Sequence, residues 1–367
     1  MKNKKKGIAA LVLFGGSLLL LLVAQLHTGF SQWYSKECYP ILVRLVGGLC
    51  SVVPFSVAEL CLYILGVFVF ITLCRLGLRI FQKKAGKKEV IGAMTTAVLA
   101  ASILFLIFTL GCGLNYRRIS FSEETKIQTR KYSVEELVLL CKELTQEVNQ
   151  WSAQVPRDGN GTAMDGTSMQ ATQKAAVHTM NQLGEQYPSL AGYYPRPKAL
   201  LMPELLSYQN ISGVYSPFTI EANYNNDMTP YNIPFTMCHE LSHLRGFMQE
   251  EEANFIAYLA CEVSDSMEFK YSGSLLAWIY STNVLCNQAP QEYEALRASL
   301  SPQVRKDLEE NSIFWDRYEG AVADVADRVN DTYLKANGQS DGVESYDRMV
   351  DLLVVYKLDS FSDSDFS

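Results

Sequence analysis

His239-Glu240-Leu241-Ser242-His243 decides the reading of this 367-residue chain, because two of its only four histidines fall in that pentapeptide. The pattern is H-E-x-x-H. On a helix, positions i and i+4 share a face, so both imidazoles can reach one metal ion. Glu240 sits beside the first histidine, where it can take a proton from a water at that ion. The flanks read as a helix that starts and stops. Asn232 is placed to cap it, Pro234 is tolerated in a first turn, and Gly246 ends it soon after His243. A chance match on an amphipathic surface helix would carry the same pentapeptide. The order of motif, glycine turn and acidic run favours a metal.

A zinc site needs a third protein ligand and keeps one position open for catalysis. Glu250-Glu251-Glu252-Ala253-Asn254 opens a second helix after the turn, with acids in its first turn and an apolar stripe behind. Glu250 and Asn254 are four apart and share a face. Glu250 is therefore the first choice for third ligand, and Asn254 the group that holds a ligand histidine by its other ring nitrogen. Glu252 is the second choice, and Glu251 is expected to face solvent. Dipole compensation at a helix start would also explain three acids.

Outward from this unit the composition splits. Residues 1–115 are strongly apolar and read as a membrane anchor, and residues 116–367 read as a domain of mixed charge. Three runs are long enough to cross a bilayer, at about residues 8–26, 52–76 and 90–114. Glu59 lies near the start of the second, so that span begins later or Glu59 faces a partner helix. Lys2, Lys4, Lys5 and Lys6 precede the first run, and Arg75, Arg79, Lys83, Lys84, Lys87 and Lys88 cluster between the second and third. The positive-inside rule then places the N-terminus and this loop in the cytoplasm and residues 116–367 outside it. Arg117 and Arg118 argue weakly the other way. The first run is too long for a signal peptide and has no A-x-A-like site after it. The formal charge of −7 gives no nucleic-acid footprint. A lipid bilayer and a peptide or protein substrate are the expected partners.

Five of the nine cysteines lie between Cys38 and Cys112, and the rest lack metal-type spacing. Cys238 and Cys261 sit on the two site helices, where they can be neighbours; they read as small buried hydrophobes, with a disulfide as the alternative. His178 has no acidic residue at ligand spacing and reads as structural or exposed. Ser133 to Glu136 is a capping box opening a helix to about Ser152. Residues 153–171, including Asp165-Gly166, read as a surface loop, followed by a helix over about 171–186. Lys198–Met202 reads as a strand. Residues 213–223 read as a second extended segment, with Pro217 marking a sheet edge where a peptide could add as another strand. Glu221 and Asn223 would then touch substrate, or serve as ordinary edge residues. Helices are expected over 272–288, 290–299, 303–311, 313–336 and 342–357, with Tyr346 or Arg348 on the last as a donor to an oxyanion. Ser360–Ser367 reads as a frayed tail. The fold class is thus mainly α: three N-terminal transmembrane helices, then a zincin-like α+β domain with a small sheet and a largely helical C-terminal part.

The chain resembles an uncharacterised bacterial membrane family with three N-terminal spans and a zinc-peptidase-like domain. The resemblance rests on Ser216-Pro217-Phe218-Thr219, Glu221-Ala222-Asn223, Thr236 to His243, Gly246-Phe247, Glu250 to Phe255, and Ser345-Tyr346. More distantly, E-x-E-A-N after H-E-x-x-H is similar to gluzincin peptidases, where E-x-x-x-D supplies a zinc-binding Glu and a histidine-orienting Asp. This implies Zn2+ as cofactor, Glu250 as ligand and Asn254 in the orienting role, with an amide replacing the usual carboxylate. The short spacing from His243 approaches that of metzincins, where Gln249 would fall at the third-ligand position; Gln is a poor zinc ligand. The expectation is a membrane-anchored zinc metallopeptidase. The alternatives are an inactive zincin-like protein with a binding or regulatory role, and a zinc amidase acting on cell-wall peptides.

Overall fold

The computed structural model describes residues 2–82, 86–164 and 166–359. Lys83 and Lys84 of the basic loop, Asp165 of the surface loop, and the tail Ser360–Ser367 lie outside the described residues. The described chain divides into two compact units. One runs to Arg118 and also holds Ser216–Glu221; the other holds the rest.

The first unit contains three helices long and apolar enough to cross a membrane. The first is Lys2–Leu26, the second Val57–Phe81, and the third Lys87–Phe108, which continues in wider turns to Gly113. The first and third pack on each other, with the Phe14 and Phe105 rings 5.2 Å apart. The second begins later than the expected residue 52, because a cap rather than hydropathy sets its start. The Ser56 hydroxyl accepts from the Glu59 amide at 3.1 Å, and Pro54 precedes it. Glu59 is buried in the first turn and accepts a hydrogen bond from the Tyr63 hydroxyl at 2.5 Å. Helical turns over Thr28–Cys50 connect the first two spans. In the same unit, the buried Glu221 carboxylate accepts from the amides of Val57 at 3.2 Å and Ala58 at 2.8 Å. A carboxylate there satisfies free amides at the positive end of the second span.

The second unit is mainly helical. The capping box forms as expected, with Ser133 and Glu136 closing the start of Val134–Ser152. Met169–Gln186 follows, then a mixed sheet of three short strands in the order β1-β3-β2: β1 Lys198–Ala199, β2 Gly213–Ser216 and β3 Glu221–Tyr224. β1 and β3 are parallel, with Lys198 opposite Asn223. The motif helix is Asn232–Leu244, the acidic helix Glu250–Val263 and the long helix Met267–Gln288. These three pack against one another, and Val134–Ser152 packs on the long helix. Phe121 joins Phe247 and Phe255 in a buried aromatic cluster, with ring centres 5.6 and 6.3 Å away. Each such ring contributes roughly 1.5–3 kcal/mol by leaving water.

Several local expectations change. The extended segment 213–223 is a hairpin, not one strand. Pro217 lies in its turn, where a missing amide costs no ladder bond. Its second arm, β3, is the central strand, so Glu221 and Asn223 are buried and do not form a substrate-facing edge. Asn223 donates to the Val214 carbonyl at 3.3 Å. The β1 strand stops at Ala199 rather than Met202. The expected helices 303–311 and 313–336 divide at another place: Pro302–Asp316 runs through the expected gap, and Ala321–Ala336 starts after Gly320, with φ of 143°. The last helix opens as a tighter turn over Gly342–Arg348 before Met349–Val354. Asn232 is not the cap of the motif helix: it lies within its first turn and donates to Thr229 and Asn311.

Candidate metal centre

The motif helix presents His239 and His243 one turn apart, with Pro234 in its first turn. Gly246 then turns the chain with φ of 88°, and the acidic helix starts four residues later at Glu250. This turn folds the second helix back on the first. As a result Nε2 of His239 and Nε2 of His243 lie 3.0 Å apart, and Oε2 of Glu250 lies 3.2 and 3.6 Å from them. A tetrahedral zinc ion with bonds of about 2.0–2.1 Å holds its ligand atoms about 3.3 Å apart. The spacing of these three atoms fits that ion.

The other ring nitrogens set the tautomers. Nδ1 of His243 is 2.8 Å from the Phe247 carbonyl, which can only accept. Nδ1 of His239 is 2.8 Å from Oδ1 of Asn254. With both Nδ1 atoms donating, both Nε2 atoms turn lone pairs toward each other and toward a carboxylate oxygen that accepts no hydrogen bond among the described residues. Three electron-rich atoms converging in a buried spot call for a cation. A proton on His243 would answer the same demand for positive charge. Burial lowers the proton affinity of His243, but Glu250 outweighs it and brings the imidazole up to about 9. Burial alone would raise Glu250, yet the two histidines hold it far below the usual carboxylate range. The group His239, His243 and Glu250 can hold a metal ion.

Of the other expected site residues, Glu240 and Asn254 also converge here, and Glu252 does not. Glu240 is buried next to the histidines; burial, partly offset by them, pushes its carboxyl up to about 7. The Tyr215 amide of β2 donates to it, and its Oε2 has no hydrogen-bond partner among the described residues. Glu252 points away and accepts from Ser122, from its amide at 3.0 Å and its hydroxyl at 2.6 Å. Glu251 is not solvent-facing as expected: it pairs with Arg348 at 3.1 Å and accepts from Gln339 at 2.7 Å. That ion pair removes Arg348 from the site. Gln249 is the residue before the acidic helix. Cys238 and Cys261 are buried, neighbouring free thiols, and His178 is exposed.

A cleft of about 380 Å³ opens beside His239 and Glu240. Tyr346 and Tyr280 line it. Burial, with Glu250 nearby, keeps the Tyr346 hydroxyl protonated well above its ordinary value, so it is a donor at neutral pH. The sequence reading missed Gly213. A Cβ there would lie 2.6 Å from Oε1 of Glu240 and 2.7 Å from Cγ2 of Thr236. The available signal was a glycine inside a strand pattern, which often marks a close approach.

No curated protein and no solved structure matches the chain. The family described as Protein of unknown function (DUF3810) matches residues 34–354, a span that takes in the second and third apolar helices and the whole His-His-Glu group, and the chain belongs to that family.

Proposed function

We propose that the protein is a membrane-anchored zinc metallopeptidase. The observation that carries this is the meeting of three ligand atoms at 3.0, 3.2 and 3.6 Å with the Glu240 carboxylate beside them. His239, His243 and Glu250 would hold the ion. Zinc there would act as a Lewis acid and lower the pKa of a water from about 15.7 to about 7.

The remaining roles belong to the chain. Glu240, poised at about 7, takes the proton of the attacking water and later passes it to the leaving amine. The Tyr215 amide and the absent Cβ of Gly213 hold that carboxylate in place. β2 is an edge strand of the sheet, so a substrate backbone can pair along it. Tyr346 offers its hydroxyl to the oxyanion that forms at the scissile carbonyl. Asn254 and the Phe247 carbonyl keep both imidazoles turned with Nε2 inward. The basic residues at 2–6 and 75–88 support a cytoplasmic N-terminus and an active domain on the opposite side of the membrane.

The test uses the full-length chain purified in detergent. The expected result is close to one zinc per chain and peptide hydrolysis that Glu240→Gln abolishes while zinc is retained. Full turnover in Glu240→Gln, or a chain that takes up no zinc, overturns the reading.

A further inference from the structure

We propose that the cleft beside the metal centre selects its polypeptide by charge, taking neutral and cationic segments and turning away acidic side chains and free C-terminal carboxylates. This rests on the peptidase reading. Among the described residues, no lysine or arginine lines the cleft. Its polar wall is built instead from amides and rings, among them Gln209, Asn311, Asn330 and Trp315. Outside the His239–Glu240 pair, Asp327 is the single formally charged residue on that wall among the described residues, and Arg328 next to it does not line the cleft.

Beyond the metal centre, the formal charge that the described wall of the cleft adds is that of Asp327. Asp327 is exposed, on the helix Ala321–Ala336 that also supplies Asn330 to the cleft. Enzymes that recognise a terminal carboxylate present a cation to it, with arginine favoured for its paired donors. This cleft presents none, and it adds a like charge. Asn and Gln amides serve backbone and neutral polar groups equally well, since each carries both donors and acceptors. A lysine or arginine side chain, or a free amino terminus, finds Asp327. The substrate class is therefore an internal or amino-terminal stretch of a neutral or basic polypeptide.

The experiment measures binding first. Full-length, zinc-loaded Glu240→Gln chain in detergent is titrated with labelled short peptides of one sequence. They carry Lys, Gln or Glu at single positions, each with a free or amidated C-terminus. Lys and Gln peptides are expected to bind about tenfold more tightly than Glu peptides, as like-charge contact disfavours the latter. Amidation is expected to tighten binding, and equal binding of the free and amidated forms overturns the exclusion of C-terminal carboxylates. Asp327→Asn should flatten the Lys–Glu difference and Asp327→Lys should invert it. Equal binding of Lys and Glu peptides, or an order unchanged by Asp327→Lys, overturns the proposal. The same peptides are then offered to the Glu240 chain. Charge-ordered binding without cleavage sinks the peptidase reading and leaves the selection standing; cleavage without charge order does the reverse. Failure of every peptide to bind overturns both.

Discussion

At Gly213 a single missing atom keeps a carboxylate in position. Its β2 backbone passes so close to Glu240 that an alanine Cβ would meet Oε1 at 2.6 Å. Gly213→Ala crowds Glu240 and Thr236 and meets none of the three ligand atoms. Turnover is expected to fall about 100-fold, in the range typical of losing a general base, with zinc content unchanged by metal analysis. Zinc loss in that variant would show that Gly213 supports the fold of the site instead. Asn254 makes a complementary case. It touches the ring of His239 and not the inward face of the group. Asn254→Ala is expected to weaken zinc binding about 10–100-fold in a chelator competition, as loss of such a partner usually does. An unchanged affinity would remove Asn254 from the site.

The acidic helix divides its glutamates among different tasks. Glu250 faces the histidines, Glu251 pairs with Arg348, and Glu252 anchors the short helix Phe121–Thr125 through Ser122. Adjacent positions on a helix point about 100° apart, so three consecutive acids cannot share a target. Glu250→Ala is expected to lose zinc. Glu252→Ala is expected to keep zinc and to lose about 1–3 kcal/mol of stability, because the half-buried Ser122 amide and hydroxyl lose their acceptor. Zinc analysis and thermal unfolding of the two variants check this, and the opposite pattern would make Glu252 the ligand. The helix Ala321–Ala336 shows another side of the element scale. It leaves Val322, Val325 and Val329 exposed, buries only Leu334, and follows a left-handed Gly320. Its amides should exchange with solvent faster than those of the motif helix.

Across the second unit, distant parts of the chain are tied by few strong contacts. Lys357 is buried and meets Glu147 at 2.5 Å, Glu262 at 3.3 Å and Glu143 at 3.4 Å, so the end of the described chain is fastened to two helices. Tyr356 adds a hydrogen bond to Glu262 at 2.7 Å. Lys357→Ala leaves three carboxylates without their cation. It should cost about 3 kcal/mol, read as a lower unfolding temperature of the full-length chain. Zinc should act in the opposite sense: at 100 times its Kd it adds about 2.7 kcal/mol, so a chelator should lower the unfolding temperature and added zinc restore it. No change on chelation would argue against a bound metal in the native state.

The sequence by itself determined what depends on near neighbours. The apolar runs marked three membrane-length helices, because hydropathy needs no partner to be read. Ser133 and Glu136 marked a helix start, since a capping box closes within one turn. His239 and His243 marked a shared helix face, and Glu250 with Asn254 marked another, because four residues return to the same side. Tertiary structure alone decided what depends on the angle between elements. How the chain turns at Gly246 aimed Glu250, not Glu252, at the histidines. The hairpin turn at Pro217 set Glu221 in the central strand and left β2 at an edge. The break at Gly320 placed Asp327 and Asn330 on a cleft wall that no local pattern could announce. Such contacts join residues far apart in sequence, and their geometry is set by packing of whole helices, which periodicity along one segment does not encode.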